Sequence, residues 1–225
     1  MTKIEVMQDM MEINNAYAAD NRKLFQKKGV FVINIMGSPG AGKTTLLEKL
    51  LSTLQQHIKA AVIEGDLATA RDAARIVACN VPVIQINTNG GCHLDAKMIS
   101  KVLPGFYMDD IDLMIIENVG NLVCPAAYDL GEDMKLLVMS IAEGGDKPAK
   151  YPTAFLSSEA VVLNKVDLMP FVNVDIEEMK NEILEINPKI KIFETCCRQG
   201  EVTGIDDLSD WLVEIVKQKK QASRN

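Results

Sequence analysis

Residues 30–45 read VFVINIMGSPGAGKTT, and this stretch decides the fold. Val30 to Met36 is apolar apart from Asn34, rich in β-branched residues and too short for a stable helix, so it reads as a strand covered on both faces. Gly37-Ser38-Pro39-Gly40-Ala41-Gly42-Lys43-Thr44 then fits the spacing G-x-x-x-x-G-K-[ST]. Thr44 to His57 follows with helical periodicity. Strand, glycine-rich loop and helix in that order give the pattern its physical sense. Glycines let the backbone wrap an anion, and the helix N-terminus offers N–H groups to phosphate oxygens. Lys43 reaches the terminal phosphates, and Thr44 offers a hydroxyl to Mg²⁺. Gly37, Ser38, Gly40, Ala41, Gly42, Lys43, Thr44 and Thr45 are therefore the expected nucleotide contacts.

Outward from this loop, short apolar runs alternate with helical segments. The further strands expected are AAVIEG (60–65), VPVIQIN (81–87), DLMIIEN (112–118), LLVMSIA (136–142), AVVLNK (160–165) and IKIFET (190–195), seven in all with the first. Residues 68–79, 94–102, 176–186 and 205–219 read as crossover helices. The fold class this predicts is α/β, a doubly wound, mostly parallel sheet with helices on both faces. Ahead of it, residues 3–28 lack Pro and Gly, and Ile4, Met7, Met11, Ala18 and Phe25 recur at helical spacing. The expected organisation is an amphipathic N-terminal helix over 1–28 and one nucleotide-binding domain over 29–225. EGGDKPAKYP (143–152) reads as a long turn segment on the ligand edge.

Charge and composition exclude several classes. Lys and Arg number 24 against 31 Asp and Glu, a net charge of −7, which disfavours bulk nucleic acid or an anionic membrane as partner. No apolar run approaches the about 20 residues a membrane span needs. Five scattered cysteines and acids in place of an N-terminal apolar run point to free thiols and a cytoplasmic location.

Asn164-Lys165-Val166-Asp167 closes the run AVVL on the ligand edge. There Asp167 can accept hydrogen bonds from guanine N1–H and the exocyclic amine, Lys165 can lie on the ring, and Asn164 can tie this loop to the phosphate loop. Such a polar site rejects adenine, so GTP or GDP is the expected nucleotide. For Mg²⁺ and the γ-phosphate the sequence offers Asp66, Asp72 and Glu117, with Glu117 fitting best as an acid that closes an apolar strand. Gly120 is placed to let a backbone N–H follow the γ-phosphate. Lys43, Asp66, Asp72 and Gly120 are the candidate catalytic residues.

Two unusual segments remain, Asn89-Gly90-Gly91-Cys92-His93-Leu94-Asp95 and Asn121-Leu122-Val123-Cys124-Pro125. Cys92, His93 and Cys124 could supply three soft ligands to Zn²⁺ or Ni²⁺, one short of a closed structural zinc site, which suggests a labile site or one completed by a second chain. On spacing alone the bland alternative is favoured, two small buried thiols and a helix-capping histidine. Cys79 reads as packing.

Taken together, the phosphate loop, EGDLATARDAAR, GGCHLDA, IENVGNLVCPAAYDLGED, EGGDKPAKYP and NKVD resemble the HypB family of hydrogenase-maturation GTPases, a group of P-loop NTPases of the SIMIBI class. The resemblance spans nearly the whole chain. It implies a slow GTPase that binds nickel or zinc through Cys92, His93 and Cys124 and dimerises with GTP. It also implies work with a HypA-type nickel metallochaperone and the [NiFe]-hydrogenase large-subunit precursor. Two departures bear on it. The first 56 residues hold neither Cys nor His, so metal handling is expected at the domain site alone. The family's last guanine-side loop resembles S-A-K-x-G-E-G, whereas Thr195-Cys196-Cys197-Arg198-Gln199-Gly200-Glu201 stands here, with Cys196 the expected base contact. Lys147 matches a family lysine whose contact stays open between nucleotide and partner chain. The readings outside this one are a nucleotide-gated interaction module with structural thiols and a urease-type metallocentre GTPase.

Overall fold

The computed structural model describes residues 2–66 and 75–222, with the backbone alone for 2–8 and 66. Strand β1 (Phe31–Gly37) lies inside an eight-stranded sheet whose other members are β2 (Ala60–Asp66), β3 (Val83–Asn87), β4 (Leu113–Glu117), β5 (Met134–Ser140), β6 (Ala160–Asn164), β7 (Lys191–Arg198) and β8 (Glu201–Thr203), in the order β3-β2-β4-β1-β5-β6-β7-β8. Every pairing is parallel except β7 with β8. The chain leaves β1 towards β2 on one side and later sets β5 on the other. The topological switch point, where such sheets bind ligands, therefore lies at the carboxyl end of β1, where Gly37 opens the loop. The register brings functional positions to one rim, since Glu64 pairs with Glu117, Gly37 with Val138 and Asn164 with Thr195.

Alternation along the strands divides the core by faces. Ile33, Ile35, Val62, Leu113, Ile115 and Val138 face helix α2 (Lys43–Leu54) and the Ile205–Ala222 helix, packing on Leu46, Leu47, Leu50 and Leu212. On the other face Val32, Ile63, Met114 and Ile116 meet Phe25, Leu94 and Ile99, while Leu137, Val161 and Leu163 meet Phe155, Met179 and Ile183. Each fully buried leucine of α2 is worth about 1.5–3 kcal/mol, so the helix that begins at Lys43 is held firmly under the loop.

Helix α1 (Thr2–Lys28) closes where Val30 N donates to Phe25 O at 3.0 Å. Its buried stripe among the described residues is Asn14, Ala18, Asn21 and Phe25, so Ala18 and Phe25 pack as expected, whereas Asn14 and Asn21 take the place expected for Met11. Met11 is only half-buried, Met10 and Ile13 are each 57% exposed, and the side chains of Ile4 and Met7 lie outside the described residues. The helix docks largely through polar bonds. Asn14 donates to Asp129 O at 2.8 Å and accepts Ala96 N at 2.9 Å, Asn21 donates to Ala96 O at 2.9 Å and Leu130 O at 3.0 Å, and Arg22 grips both oxygens of Asp129 at 2.7 and 2.9 Å.

The other departures are local. β8 adds an eighth strand to the expected seven. The third strand starts at Val83 rather than Val81. The helix expected over 94–102 runs Ala96–Val102, capped by Asp95, whose carboxylate accepts Met98 N at 2.7 Å, so His93 is not its cap. The expected turn segment 143–152 contains the short Lys147–Lys150 helix and the start of the Pro152–Leu156 helix. Of the helix expected over 68–79, residues 75–77 are helical and 68–74 lie outside the described residues, Asp72 among them.

Candidate nucleotide and metal site

The loop after β1 and the start of α2 enclose a cavity of about 470 Å³ lined by Pro39, Gly40, Gly42, Lys43, Thr44 and Thr45 from the loop, with Glu64, Arg75, Glu117, Asn118, Gly120 and Lys165 opposite. Lys43 crosses the loop, donating to Gly37 O at 3.2 Å and Ser38 O at 3.3 Å, which holds a cation at the centre of a ring of backbone groups. Thr44 Oγ1 donates to Glu117 Oε1 at 2.7 Å, and Glu64 sits beside Glu117 in register, both buried. A hydroxyl with two neighbouring buried carboxylates is a hard-oxygen donor set, the kind that suits Mg²⁺. Asp66 ends β2 on the same rim, but its side chain, like the whole of Asp72, lies outside the described residues.

Gly42 shows why the loop needs glycine. Its φ is +95°, and a Cβ there would fall 2.5 Å from Asn164 Nδ2. That close approach lets Asn164 donate to Ala41 O at 3.0 Å while accepting Thr195 Oγ1 at 3.0 Å. Lys165 Nζ donates to Gly40 O at 2.6 Å. Beside them a smaller cavity of about 200 Å³ is lined by Gly42, Thr45, Asn164, Lys165, Asp167, Leu168, Cys197 and Arg198. Cys196, the residue expected there, is buried with its thiol on Glu201 O at 3.2 Å, and its neighbours Cys197 and Arg198 line the space instead. Burial pushes the Cys197 thiol up to about 11, so it stays protonated.

Cys92, His93 and Cys124 converge, their ligand atoms all within 4.8 Å of one another. The two sulfurs are 3.2 Å apart, and Cys92 Sγ lies 3.4 Å from His93 Nδ1. The His93 ring rests on Tyr128 with centroids 3.9 Å apart. Burial lowers the pKa of His93, against the opposing pull of Asp95, which favours the neutral imidazole that ligates metals. The hydrogen bond with Cys92 and burial together raise that of the Cys124 thiol. Two thiols and an imidazole are soft donors of the type that hold Ni²⁺ or Zn²⁺, with a coordination position left for a further ligand.

Two asparagines join the cluster to the phosphate loop. Asn121 N donates to Gly37 O at 3.0 Å while its Nδ2 donates to Cys92 O at 3.2 Å. Asn118 Oδ1 accepts both Leu94 N and Val119 N at 3.0 Å, and its Nδ2 donates to Asn34 Oδ1 at 3.1 Å. Asn34 in turn donates to Glu132 Oε1 at 3.2 Å, and Glu132 Oε2 accepts Leu130 N at 2.6 Å. Burial pushes the Glu132 carboxyl up, which the Lys135 charge and these hydrogen bonds only partly offset. Gly120 lies against the loop, where a Cβ would fall 3.0 Å from Pro39 Cα. Lys147 pairs with Glu143 at 3.4 Å, stacks over Tyr151 and lines a third cavity with Ser38 and Gly120. Sequence reading missed Glu64, Arg75 and Asn121 as site residues. An acid inside the apolar run AAVIEG was the available signal for Glu64.

The sheet order and the loop at its switch point define a P-loop nucleotide-binding protein. Residues 31–194 match the family described as CobW/HypB/UreG, nucleotide-binding domain. The hydrogenase maturation factor HypB of Escherichia coli strain K12 is 47% identical over 209 residues, 93% of this chain and 71% of that one. The crystal structure of Helicobacter pylori HypB in complex with nickel superposes with a TM-score of 0.85 at 36% identity, covering 92% of this chain and 96% of that one. The crystal structure of the hydrogenase maturation factor HypB from Archaeoglobus fulgidus gives 0.84 at 36% identity, covering 92% and 100%. The chain belongs to the CobW/HypB/UreG family and, within it, to the HypB proteins. Among the described residues no helix is long and apolar enough to cross a membrane.

Proposed function

We propose that the chain is a GTP-hydrolysing nickel-handling factor of hydrogenase maturation. One observation carries this reading: Asn121 touches Gly37 of the phosphate loop with its backbone and Cys92 of the thiol cluster with its side chain. The two halves of the site are thus one hydrogen-bonded residue apart, and no long relay is needed to couple them. Guanine is the base, read by Asp167 with Asn164 and Lys165 supporting it. Thr44 and Glu117 would hold Mg²⁺, with Asp66 or Asp72 as the further acid, and the ion would neutralise phosphate charge. Lys43 steadies the terminal phosphates, Gly120 follows the γ-phosphate, and Asp66 or Asp72 positions the attacking water.

Nickel is the cargo, with zinc a competitor for the same soft donors of Cys92, His93 and Cys124. Three ligands from one chain leave the site open, and a homodimer brought together by GTP would complete it and let it release cargo on hydrolysis. The nickel donor and acceptor are then a HypA-type metallochaperone and the hydrogenase large-subunit precursor, in the cytoplasm. The relatives named as hydrogenase maturation factors support the same role.

The experiment is nickel titration with GDP and with a non-hydrolysable GTP analogue, in the wild type and in Cys92→Ala and Cys124→Ala. Nucleotide-dependent nickel affinity that both variants abolish is the expected result. Equal affinity in the two nucleotide states removes the coupling, and nickel binding unchanged in both variants removes the metal site and leaves a nucleotide-gated module with structural thiols.

A further inference from the structure

The phosphate cavity is also lined by a cation that the loop motif does not supply. Arg75 reaches it from beyond β2, and its guanidinium is held across the start of α2. Nε donates to Glu48 Oε1 at 2.9 Å, and Nη2 donates to Glu48 Oε2 at 2.6 Å and to Thr45 Oγ1 at 3.0 Å. A two-point carboxylate grip fixes the plane of an arginine as well as its position.

Where that plane lies decides what it can bind. Thr45, Gly42 and Lys165 line both the phosphate cavity and the base cavity. Of these two cavities, Glu117 and Gly120 line the phosphate cavity and not the base cavity, and Asp167 the reverse. A nucleotide with its base towards Asp167 and its outer phosphates towards Glu117 has its α-phosphate where the two cavities meet, beside Thr45. Resting on the nucleotide reading above, we propose that Arg75 binds the α-phosphate of the guanine nucleotide, with Glu48 as its positioning residue. A planar, permanently charged donor set suits phosphate oxygens better than ribose hydroxyls. The contact is the same for mono-, di- and triphosphate, so Arg75 contributes to affinity and not to telling GTP from GDP.

The test is a ligand ladder of guanosine, GMP, GDP and GTP, each measured by displacement of a fluorescent guanine nucleotide from the wild type, Arg75→Gln and Glu48→Gln. Thermal unfolding without nucleotide follows the fold of each. The proposal expects Arg75→Gln to bind GMP, GDP and GTP about tenfold more weakly, the worth of one charge-assisted hydrogen bond, with guanosine unchanged. Glu48→Gln keeps the cation but loosens the grip that orients it, so its GMP affinity falls, by less than that of Arg75→Gln. A loss confined to GTP places the arginine at the γ-phosphate and overturns the proposal. So does an equal loss for guanosine, or a loss in Glu48→Gln matching that in Arg75→Gln, since either makes the pair merely structural. A wild type that binds none of the four overturns the nucleotide reading itself, whereas wild-type affinities along the whole ladder in Arg75→Gln overturn only this inference.

Discussion

Asn118 Oδ1 accepts the backbone N–H of Leu94 at 3.0 Å, so the residue that follows β4 fixes the one that follows His93. The same side chain donates to Asn34 within β1, the strand that leads into the phosphate loop. On the coupling proposed above, a shift of the 118–120 segment would pass through this buried amide to the Cys92–His93–Cys124 cluster.

Asn118→Ala removes this link and leaves a buried N–H at Leu94 and a buried amide oxygen at Asn34 without their partner. The expected cost is about 2–4 kcal/mol of stability, read by urea unfolding. In the folded fraction the difference in nickel affinity between GDP and a GTP analogue is expected to shrink. A variant with full stability and undiminished coupling would show that Asn118 joins nothing.

Asp167→Asn replaces the proposed acceptor of two guanine hydrogen bonds with an amide that would donate where guanine also donates. Binding of GTP is expected to fall on the order of 10²-fold, while xanthosine triphosphate, which offers a carbonyl at that position, gains. Competition between the two nucleotides measures it, and unchanged guanine preference would remove the base assignment.

These residues differ in how plainly the sequence displays them. The phosphate loop and Asn164-Lys165-Val166-Asp167 are contiguous, each with its chemistry in one short segment behind an apolar strand, so spacing and pattern suffice. Cys92 and Cys124 are separated by a helix and a strand, and only the fold brings their sulfurs to 3.2 Å. The buried face of α1 escapes hydrophobic periodicity because two of its four positions are Asn14 and Asn21, polar residues buried for their bonds to the Ala96 and Asp129–Leu130 backbone. β8 is three exposed residues paired by its hairpin alone, and nothing in Glu201-Val202-Thr203 separates it from a loop. Arg75 follows EGDLATARDAA as one charge among several, and its place in the cavity comes from Glu48, a turn further along α2.

The ion pair that fastens α1 gives a pH dependence with a definite sign. Burial pushes the Asp129 carboxyl up, but hydrogen bonds from Arg22 and Gly131 N–H, with the guanidinium charge, outweigh it and hold the group below its ordinary value. Asp112 follows the same balance, burial against Lys220 and Lys59 N–H, with the same outcome. Both carboxylates therefore contribute stability that is present above the unfolded value of about 3.9 and is lost as pH falls through the lower folded values. Arg22→Gln leaves Asp129 half-buried without its partner, so its melting temperature is expected to fall at neutral pH and its acid unfolding to begin at higher pH than in the wild type. Melting curves taken from neutral to below about pH 3 decide it, and coincident acid limbs would show that the pair adds nothing.

Gly120 tests the nucleotide half of the site without touching its charges. A Cβ at this position meets Pro39 N, Cα and Cγ at 3.0 Å, tighter than ordinary side-chain contacts, and two of the three are backbone atoms of the phosphate loop. The loop is braced behind by Lys43 on Gly37 O and Ser38 O and by Asn164 on Ala41 O, so it has little freedom to retreat. Gly120→Ala must therefore displace the 118–121 segment from the cavity. GTP turnover is expected to fall at least tenfold, because placing a donor even an ångström from the γ-phosphate forfeits its worth, while GDP, which lacks that phosphate, binds nearly as before. Nickel affinity in the GDP state is expected to change as well, since the displaced segment carries Asn118 and Asn121, which hold Leu94 N and Cys92 O. The discriminating measurement is the ratio of GTP-analogue to GDP affinity. A ratio equal to that of the wild type would mean that Gly120 does not follow the terminal phosphate, and that the coupling to the thiol cluster must run through Asn121 and Gly37 instead.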